Sequence, residues 1–299
     1  MKNKTRRAVT AVTLLALIIL TAIPGCPAYM ESNGDITEIL LIGLDRRPNQ
    51  KNGRSDTMIL LTLDSDNGAI KLMSLMRDMY IEIPRHGKNR INAACVYGGP
   101  ELLIKTIEHN FGILIEHYVC VDFSALASVI DQIGGIEANI ETKTQMKYIN
   151  GVIREDNRVL KLNLSDGLLT ETGVQTLTGK QAQAYARYRK GGRGDFDRTE
   201  RQREVIIKCL DKIGCLSIVE MAKLAVENIG NVETNLTLDK IIPLVSAALN
   251  VRAMEIKELR IPVDKGYQSK TVKGMSVLIP NIAVNKKAME DFLLEDVVE

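Results

Sequence analysis

Apolar residues crowd into short runs along most of this chain. Ile36 to Leu44 reads Ile-Thr-Glu-Ile-Leu-Leu-Ile-Gly-Leu, and Thr57 to Leu63 is similarly apolar. Runs this short and this continuous predict strands buried on both faces. Between them and the run Ala69 to Met76 lies Asp64-Ser-Asp-Asn-Gly68, whose Asn67-Gly68 pair predicts a hairpin turn. Asp64 and Asp66 do not make a calcium loop, because the glycine comes one position early and no acidic residue stands at the twelfth. Met79 to Ile83 predicts a short strand ended by Pro84. Pro100 suits the first turn of a helix that runs to Phe111 and stops at Gly112.

The alternation continues downstream. His117 to Val121 predicts a strand, Phe123 to Ile133 a helix closed by Gly134-Gly135, and Ile136 to Ile140 another strand. Helices are expected over Gly179–Arg189 and Phe196–Ile213, separated by Gly191-Gly-Arg-Gly194, and over Ile218–Asn228 and Leu238–Leu249. Glu255–Ile261 and Met275–Ile279 predict late strands, and Val284–Leu294 a closing helix. Strands alternating with helices define an α/β fold. No Pro/Ser/Gly-rich linker follows Asp35 and no repeat occurs, so residues 31–299 are expected to form one domain.

The N-terminus follows a different pattern. Lys2, Lys4, Arg6 and Arg7 precede a stretch from Ala8 to Met30 without a charged residue, densest at Leu14–Leu20. A basic tip followed by an apolar run is a signal peptide or signal anchor. The run ends near Pro24, shorter than the roughly 20 residues of a full span. Ile23-Pro-Gly-Cys26 loosely resembles a lipoprotein cleavage box. Anchor, cleaved signal and lipidation at Cys26 all place the remainder outside the cell membrane, since Lys and Arg stay on the cytoplasmic side. The expected division is a cytoplasmic tip with membrane anchor over residues 1–30 and an extracellular domain over 31–299.

The formal net charge of +2 comes from that tip: the rest of the chain has 35 basic and 37 acidic residues. A bulk basic surface for nucleic acid is excluded. Five cysteines, Cys26, Cys95, Cys120, Cys209 and Cys215, form no C-x-x-C pair, which argues against zinc. Cys209 and Cys215 could bridge only if their helix ends at Gly214, so isolated buried thiols are expected. Gly173 to Lys180 is not a phosphate loop: five residues separate its glycines, and Gln181 stands where Ser or Thr would hold magnesium.

The candidate chemistry lies in aspartates and arginines at strand and helix ends. Asp45 follows the first strand and Asp56 precedes the second, so neighbouring strands would bring two carboxylates together, a ligand set that suits magnesium. Arg77 and Asp78 end the third strand, and Arg90 follows in Arg90-Ile-Asn-Ala-Ala94. The densest cluster is Arg187, Arg189, Arg193, Arg198, Arg201 and Arg203, interleaved with Asp195, Asp197, Glu200 and Glu204. Planar guanidinium groups grip phosphate oxygens in pairs, and a pyrophosphate can engage several. The competing reading is a solvated helix laced with ion pairs, such as Glu200 with Arg203.

These residues fall in motifs that resemble the LytR-CpsA-Psr family of bacterial cell-wall proteins. The motifs are Leu41-Ile-Gly-Leu-Asp-Arg46 with Arg54-Ser-Asp-Thr57; Ser74-Leu-Met-Arg-Asp78; Arg90-Ile-Asn-Ala-Ala94 with Tyr97-Gly-Gly99; Tyr118-Val-Cys-Val-Asp-Phe123 with Asp131-Gln-Ile-Gly-Gly135; and Ala186-Arg-Tyr-Arg189 with Gly194-Asp-Phe-Asp-Arg198 and Arg201-Gln-Arg203. Met76, where proline is usual, and Asp197, where glycine is frequent, depart from the pattern. The resemblance implies an α-β-α sandwich with a central mixed sheet and a pocket for a polyprenyl lipid. It implies transfer of a phosphorylated anionic glycan, of teichoic acid or capsule type, from a polyprenyl-pyrophosphate carrier to peptidoglycan, assisted by Mg2+ or Mn2+. On this reading Asp45 and Asp56 hold the metal. Arg77, Arg90, Arg187, Arg189, Arg198 and Arg203 hold the pyrophosphate, and Asp78, Asp195 and Arg198 act at the reacting centre. A pyrophosphatase using water as acceptor, and a non-catalytic envelope regulator, are the alternatives.

Overall fold

The computed structural model describes residues 37–45, 53–64, 68–190, 192–236 and 254–294. The expected membrane segment, Cys26, Asn67 of the first turn, Gly191 and the helix expected at Leu238–Leu249 lie outside the described residues. No helix among the described residues is long and apolar enough to cross a membrane. The chain groups into two compact units. One takes in Met30–Asp122 with Val232–Glu299; the other takes in Phe123–Asn231.

The first unit is built on a six-stranded mixed sheet. Its strands are β1 (Thr37–Asp45), β2 (Arg54–Asp64), β3 (Ala69–Leu75), β6 (His117–Asp122), β9 (Val232–Thr234) and β10 (Glu255–Ile261), in the order β10-β3-β2-β1-β6-β9. β1 pairs antiparallel with β2 and parallel with β6, so the continuous apolar runs sit at the middle of the sheet. Ile39, Leu40, Ile42, Leu60, Leu72 and Met73 are all essentially inaccessible. Among the buried polar side chains of β2 and β3 is a cation, Lys71 on β3. Its Nζ donates to the Leu293 carbonyl 2.8 Å away, near the end of the closing helix Ile282–Leu294. A cation there meets the negative end of the helix dipole and one of its orphan carbonyls.

Two hairpins complete this unit: β4 (Tyr80–Ile83) with β5 (Gly87–Arg90), and β11 (Tyr267–Val272) with β12 (Met275–Pro280). β5 and β11 are too polar to show a hydrophobic period, and the sequence pattern misses both. Helix α1 (Ala93–Phe111) starts earlier than predicted but breaks at Gly98 and Gly99, where φ reaches 71° at Gly99. Pro100 restarts it, and Leu103, Ile107 and Phe111 bury one stripe.

The second unit carries α2 (Phe123–Gln132), α3 (Lys143–Val159), α4 (Gly179–Arg187), α5 (Asp195–Ile213) and α6 (Ile218–Asn228), with a hairpin of β7 (Ile136–Ile140) and β8 (Gly173–Leu177). The closing helix Ile282–Leu294 of the first unit is α7. The core of the second unit gathers Ile130, Ile136, Ile140, Ile149, Ile153, Leu177, Ala182, Tyr185 and Val205. Gly179 lets α2 and α4 touch: a Cβ there would lie 1.9 Å from the Ala127 carbonyl oxygen. The rejected phosphate loop has a structural job instead. Thr178 and Gln181 form a reciprocal capping box at the start of α4, and Lys180 Nζ donates to the buried Asn157 at 3.0 Å. α4 ends at Arg187, two residues before the predicted limit, with Tyr188 extended at ψ 148°.

Cys95, Cys120, Cys209 and Cys215 are all thiols, with only Cys215 exposed. Burial pushes the Cys95 thiol up to about 11 and the Cys209 thiol up to about 12. Because the thiolate is the nucleophile, a thiol reagent at pH 8 should label Cys215 first and leave Cys95 and Cys209 unreacted until the chain unfolds. Peptide mapping of the labelled native protein checks this.

Asn285 of α7 is fully buried and holds the cis Ile261-Pro262 segment in place. It accepts from the Val263 N–H at 2.8 Å and donates to the Gly266 carbonyl at 2.7 Å. Asn285→Ala strands the Val263 N–H, while the Gly266 carbonyl keeps the Asn281 N–H at 2.8 Å, and should cost about 1–3 kcal/mol. Urea unfolding should show a lower midpoint with an unchanged slope.

Candidate functional site

In the first unit, the register of β1 on β2 shifts between Gly43 and Leu44: Gly43 faces Thr57 and Leu44 faces Ser55. Asp56 is therefore the extra residue of a β-bulge inside β2, not a loop residue ahead of it as the sequence pattern indicated. A bulge re-aims the side chain it inserts. The Asp56 carboxylate accepts from Arg77 Nη1 at 2.7 Å and from Asn92 Nδ2 at 3.4 Å. Arg77 also lies 3.7 Å from Asp78, and Asp78 lies 3.2 Å from Arg90 Nε. Arg90 Nη2 donates to the Ser276 carbonyl at 2.6 Å.

Four sequence-predicted residues thus form one alternating chain, Asp56–Arg77–Asp78–Arg90. All four are at most one fifth exposed. Arg77 and Asp78 occupy the turn between β3 and β4, and Arg90 ends β5. Asn92 belongs to the quoted Arg90–Ala94 motif, but nothing in the sequence marks its contact with Asp56.

Asp45 ends β1 opposite Arg54 and is exposed. Asp45 and Asp56 stand at the same end of this strand pair, as the proposed magnesium site requires. No group of three or more His, Cys, Asp or Glu side chains suited to a metal occurs among the described residues. A divalent ion would therefore have two carboxylates and fill its shell with neutral oxygens, water and phosphate, which suits Mg2+. Asn92 Oδ1 is such an oxygen, buried and without a hydrogen-bond donor. The residues present fit the ion.

In the second unit, Asp195 opens α5 and lies between two arginines: Arg189 Nε is 3.3 Å from one oxygen, and Arg198 Nη2 is 3.3 Å from the other. Arg198 is 3% exposed, so its charge needs that partner. Arg187 meets Asp156 through both carboxylate oxygens, at 2.7 and 3.0 Å, and lies over the Phe123 ring at 4.9 Å. Asp156 lies in the stretch 141–178, where the sequence pattern predicts no element. Signals were present: Thr142 caps α3 by accepting from Gln145, and Met146, Ile149 and Ile153 share a face.

The rest of the arginine cluster divides by role. Arg193 is exposed and pairs with Asp197 and Glu200, so Glu200 takes Arg193 and not the expected Arg203. Arg201 stacks 3.7 Å from the Tyr188 ring centroid and donates to the Tyr185 and Tyr188 carbonyls, closing the end of α4. Arg203 is buried on α5. Tyr185 donates to Glu204 at 2.7 Å, and burial with that contact raises its phenol well above the usual range.

Each unit, taken by itself, gathers arginines with aspartates at the ends of its strands or helices. The chain belongs to the LytR_cpsA_psr family, whose profile matches residues 21–291. It is 34% identical to Regulatory protein MsrR of Staphylococcus aureus (strain COL) over 89% of this chain and 77% of that protein. It is 33% identical to the polyisoprenyl-teichoic acid–peptidoglycan teichoic acid transferase TagU of Oceanobacillus iheyensis, over 75% of this chain and 67% of TagU. The crystal structure of Bacillus subtilis TagT superposes with a TM-score of 0.66 at 25% identity, covering 87% of this chain and 91% of TagT. A structure of TagT bound to LIIa-WTA gives 0.67 at the same identity and coverage. The expected α/β fold with a central mixed sheet is the fold of these proteins.

The paired and exposed arginines should behave differently. Asp195→Asn removes the charge facing the buried Arg198 and should lower stability by about 2 kcal/mol. Arg193→Ala breaks only solvent-exposed pairs and should change stability by less than about 1 kcal/mol. Urea midpoints of the two variants, measured side by side, check the contrast.

Proposed function

We propose that this chain transfers a phosphorylated anionic glycan, of teichoic acid or capsule type, from a polyprenyl-pyrophosphate carrier to peptidoglycan. The observation that carries this reading is the Asp56–Arg77–Asp78–Arg90 chain, assembled from three separate sequence motifs. The activities named for TagU and TagT support it. The regulatory name of MsrR supports a second reading, an envelope regulator without transfer activity.

In the proposed reaction a peptidoglycan hydroxyl attacks the glycan-proximal phosphorus. The bond from that phosphorus to the bridging oxygen breaks, polyprenyl phosphate leaves with that oxygen and its electron pair, and the hydroxyl proton passes to solvent. Such transfer needs charge neutralisation and in-line positioning above all. In the first unit Arg77 and Arg90 can offer paired N–H donors to phosphate oxygens; in the second unit, taken by itself, Arg187, Arg189, Arg198 and Arg203 carry the same chemistry. Asp78 and Asp195 each hold two guanidinium groups, which makes them positioning residues. Asp45 and Asp56 would hold Mg2+ or Mn2+, which when bound neutralises phosphate charge. The segment Ala8–Ile23 would tether an extracellular domain beside its membrane-confined substrate and raise its effective concentration.

The test is incubation of the full chain with lipid-linked glycan, Mg2+ and peptidoglycan, read by mass spectrometry. The expected product is glycan joined to peptidoglycan through a phosphodiester. Free glycan phosphate formed equally without peptidoglycan would indicate hydrolysis, and no turnover would favour the regulator. Arg77→Lys keeps the charge but loses the planar fork, and should weaken lipid-pyrophosphate binding by about tenfold. Asp56→Ala should abolish the Mg2+ dependence of binding while the fold survives; unchanged dependence in both Asp45→Ala and Asp56→Ala would remove the metal assignment.

A further inference from the structure

One aromatic feature in the first unit has no part in the core or in the acid–base chain. Tyr97 sits on α1 just before the Gly98–Gly99 break, with 43% of its surface exposed. The other described tyrosines are buried or intermediate, and the chain has no tryptophan. The Tyr97 ring stacks on His86, also exposed, with centroids 4.6 Å apart and planes within 14°. His86 lies in the turn between β4 and β5.

Asn89 on β5 fixes this pair and ties it to Arg90. Its Oδ1 accepts from the Arg90 backbone N–H at 2.8 Å, and its Nδ2 donates to the Tyr97 hydroxyl oxygen at 2.8 Å. With the oxygen already accepting, the Tyr97 O–H proton remains to be donated outward. The surface therefore offers a flat, pre-set ring pair with an O–H donor at its edge.

That combination matches an N-acetylated pyranose, whose C–H face stacks on an aromatic ring and whose acetamido carbonyl accepts a hydrogen bond. A ring already held in place loses little freedom on binding. Successive side chains on a strand point to opposite faces, so Asn89 and Arg90 project from opposite sides of β5. A sugar bonded directly to a phosphate at Arg90 is therefore on the wrong side of the hairpin. A polymeric strand is long enough to stack here and still present a hydroxyl elsewhere. Resting on the transferase reading above, we propose that Tyr97, His86 and Asn89 form a subsite for an N-acetylated sugar of the acceptor glycan strand.

Saturation-transfer NMR on the full-length chain in detergent micelles tests this, using soluble uncrosslinked peptidoglycan glycan strands as the probe. The parent should saturate the acetamido methyl protons. Tyr97→Ala should weaken strand binding by about fivefold to tenfold, and Tyr97→Phe, which keeps the ring and loses the O–H, by less. Lipid-pyrophosphate binding should be unchanged in Tyr97→Ala. Arg77→Ala should show the reverse, losing the lipid pyrophosphate and keeping the strand. Tyr97-dependent strand binding in a protein without transfer activity would overturn the transferase reading and leave the subsite standing. The subsite is overturned if the parent binds no strand, if Tyr97→Ala binds it as well as the parent, or if Tyr97→Ala loses both ligands together. Should Tyr97→Ala fail to fold, Tyr97→Phe and His86→Ala decide: strand binding equal to the parent in both overturns the subsite.

Discussion

A guanidinium group removed from water must keep an anion beside it, because an unpaired buried charge costs several kcal/mol. Among the arginines proposed to bind phosphate, Arg77, Arg90, Arg187 and Arg198 meet this constraint within the chain itself. Arg77 and Arg90 share Asp78, and Arg77 also takes Asp56. Arg189 and Arg198 share Asp195, and Arg187 has Asp156. Each carboxylate holds its arginine in one orientation, and the five donors of the fork leave N–H groups for a second anion. In each unit the acids hold the arginines in place through these ion pairs.

The scaffold has to deliver these side chains from short, separate segments. A β-bulge turns Asp56 out of the pleat of β2. The turn after β3 carries Arg77 and Asp78, and a short hairpin brings Arg90 back to meet them. In the second unit, Gly179 permits a backbone approach that no side chain would allow, and Arg201 closes the end of α4, where Tyr188 leaves the helix in extended backbone. Arg201 and Arg198 lie three residues apart on α5, yet Arg201 packs on aromatic rings while Arg198 pairs with Asp195. Proximity in sequence does not give arginines a common task.

Much of this was legible in one dimension. The central strands announce themselves as continuous apolar runs, since a strand covered on both faces has no polar side to display. The α1 stripe and the aspartates and arginines at element ends were readable for the same local reason. The elements missed were the polar hairpin strands β5 and β11, which leave no period, the short half-exposed strands β8 and β9, and α3, whose cap and apolar spacing were present but unassigned. The two compact units also leave no mark, because neither crossing, at Phe123 nor at Val232, has a linker composition.

By itself the sequence determined the strand-rich α/β class, the family motifs and the kinds of side chain at the candidate site, because period, apolar run length and residue chemistry are local properties. Only the tertiary structure decided which charges meet. It placed Asp56 in a bulge, gave Asp156 to Arg187, spent Arg193 and Arg201 on ion pairing and packing, and joined Asn89 to Tyr97. The reason is physical: an ion pair is set by distances of about 3 Å between atoms far apart along the chain. Those distances exist only once the sheet register and the helix ends have been fixed.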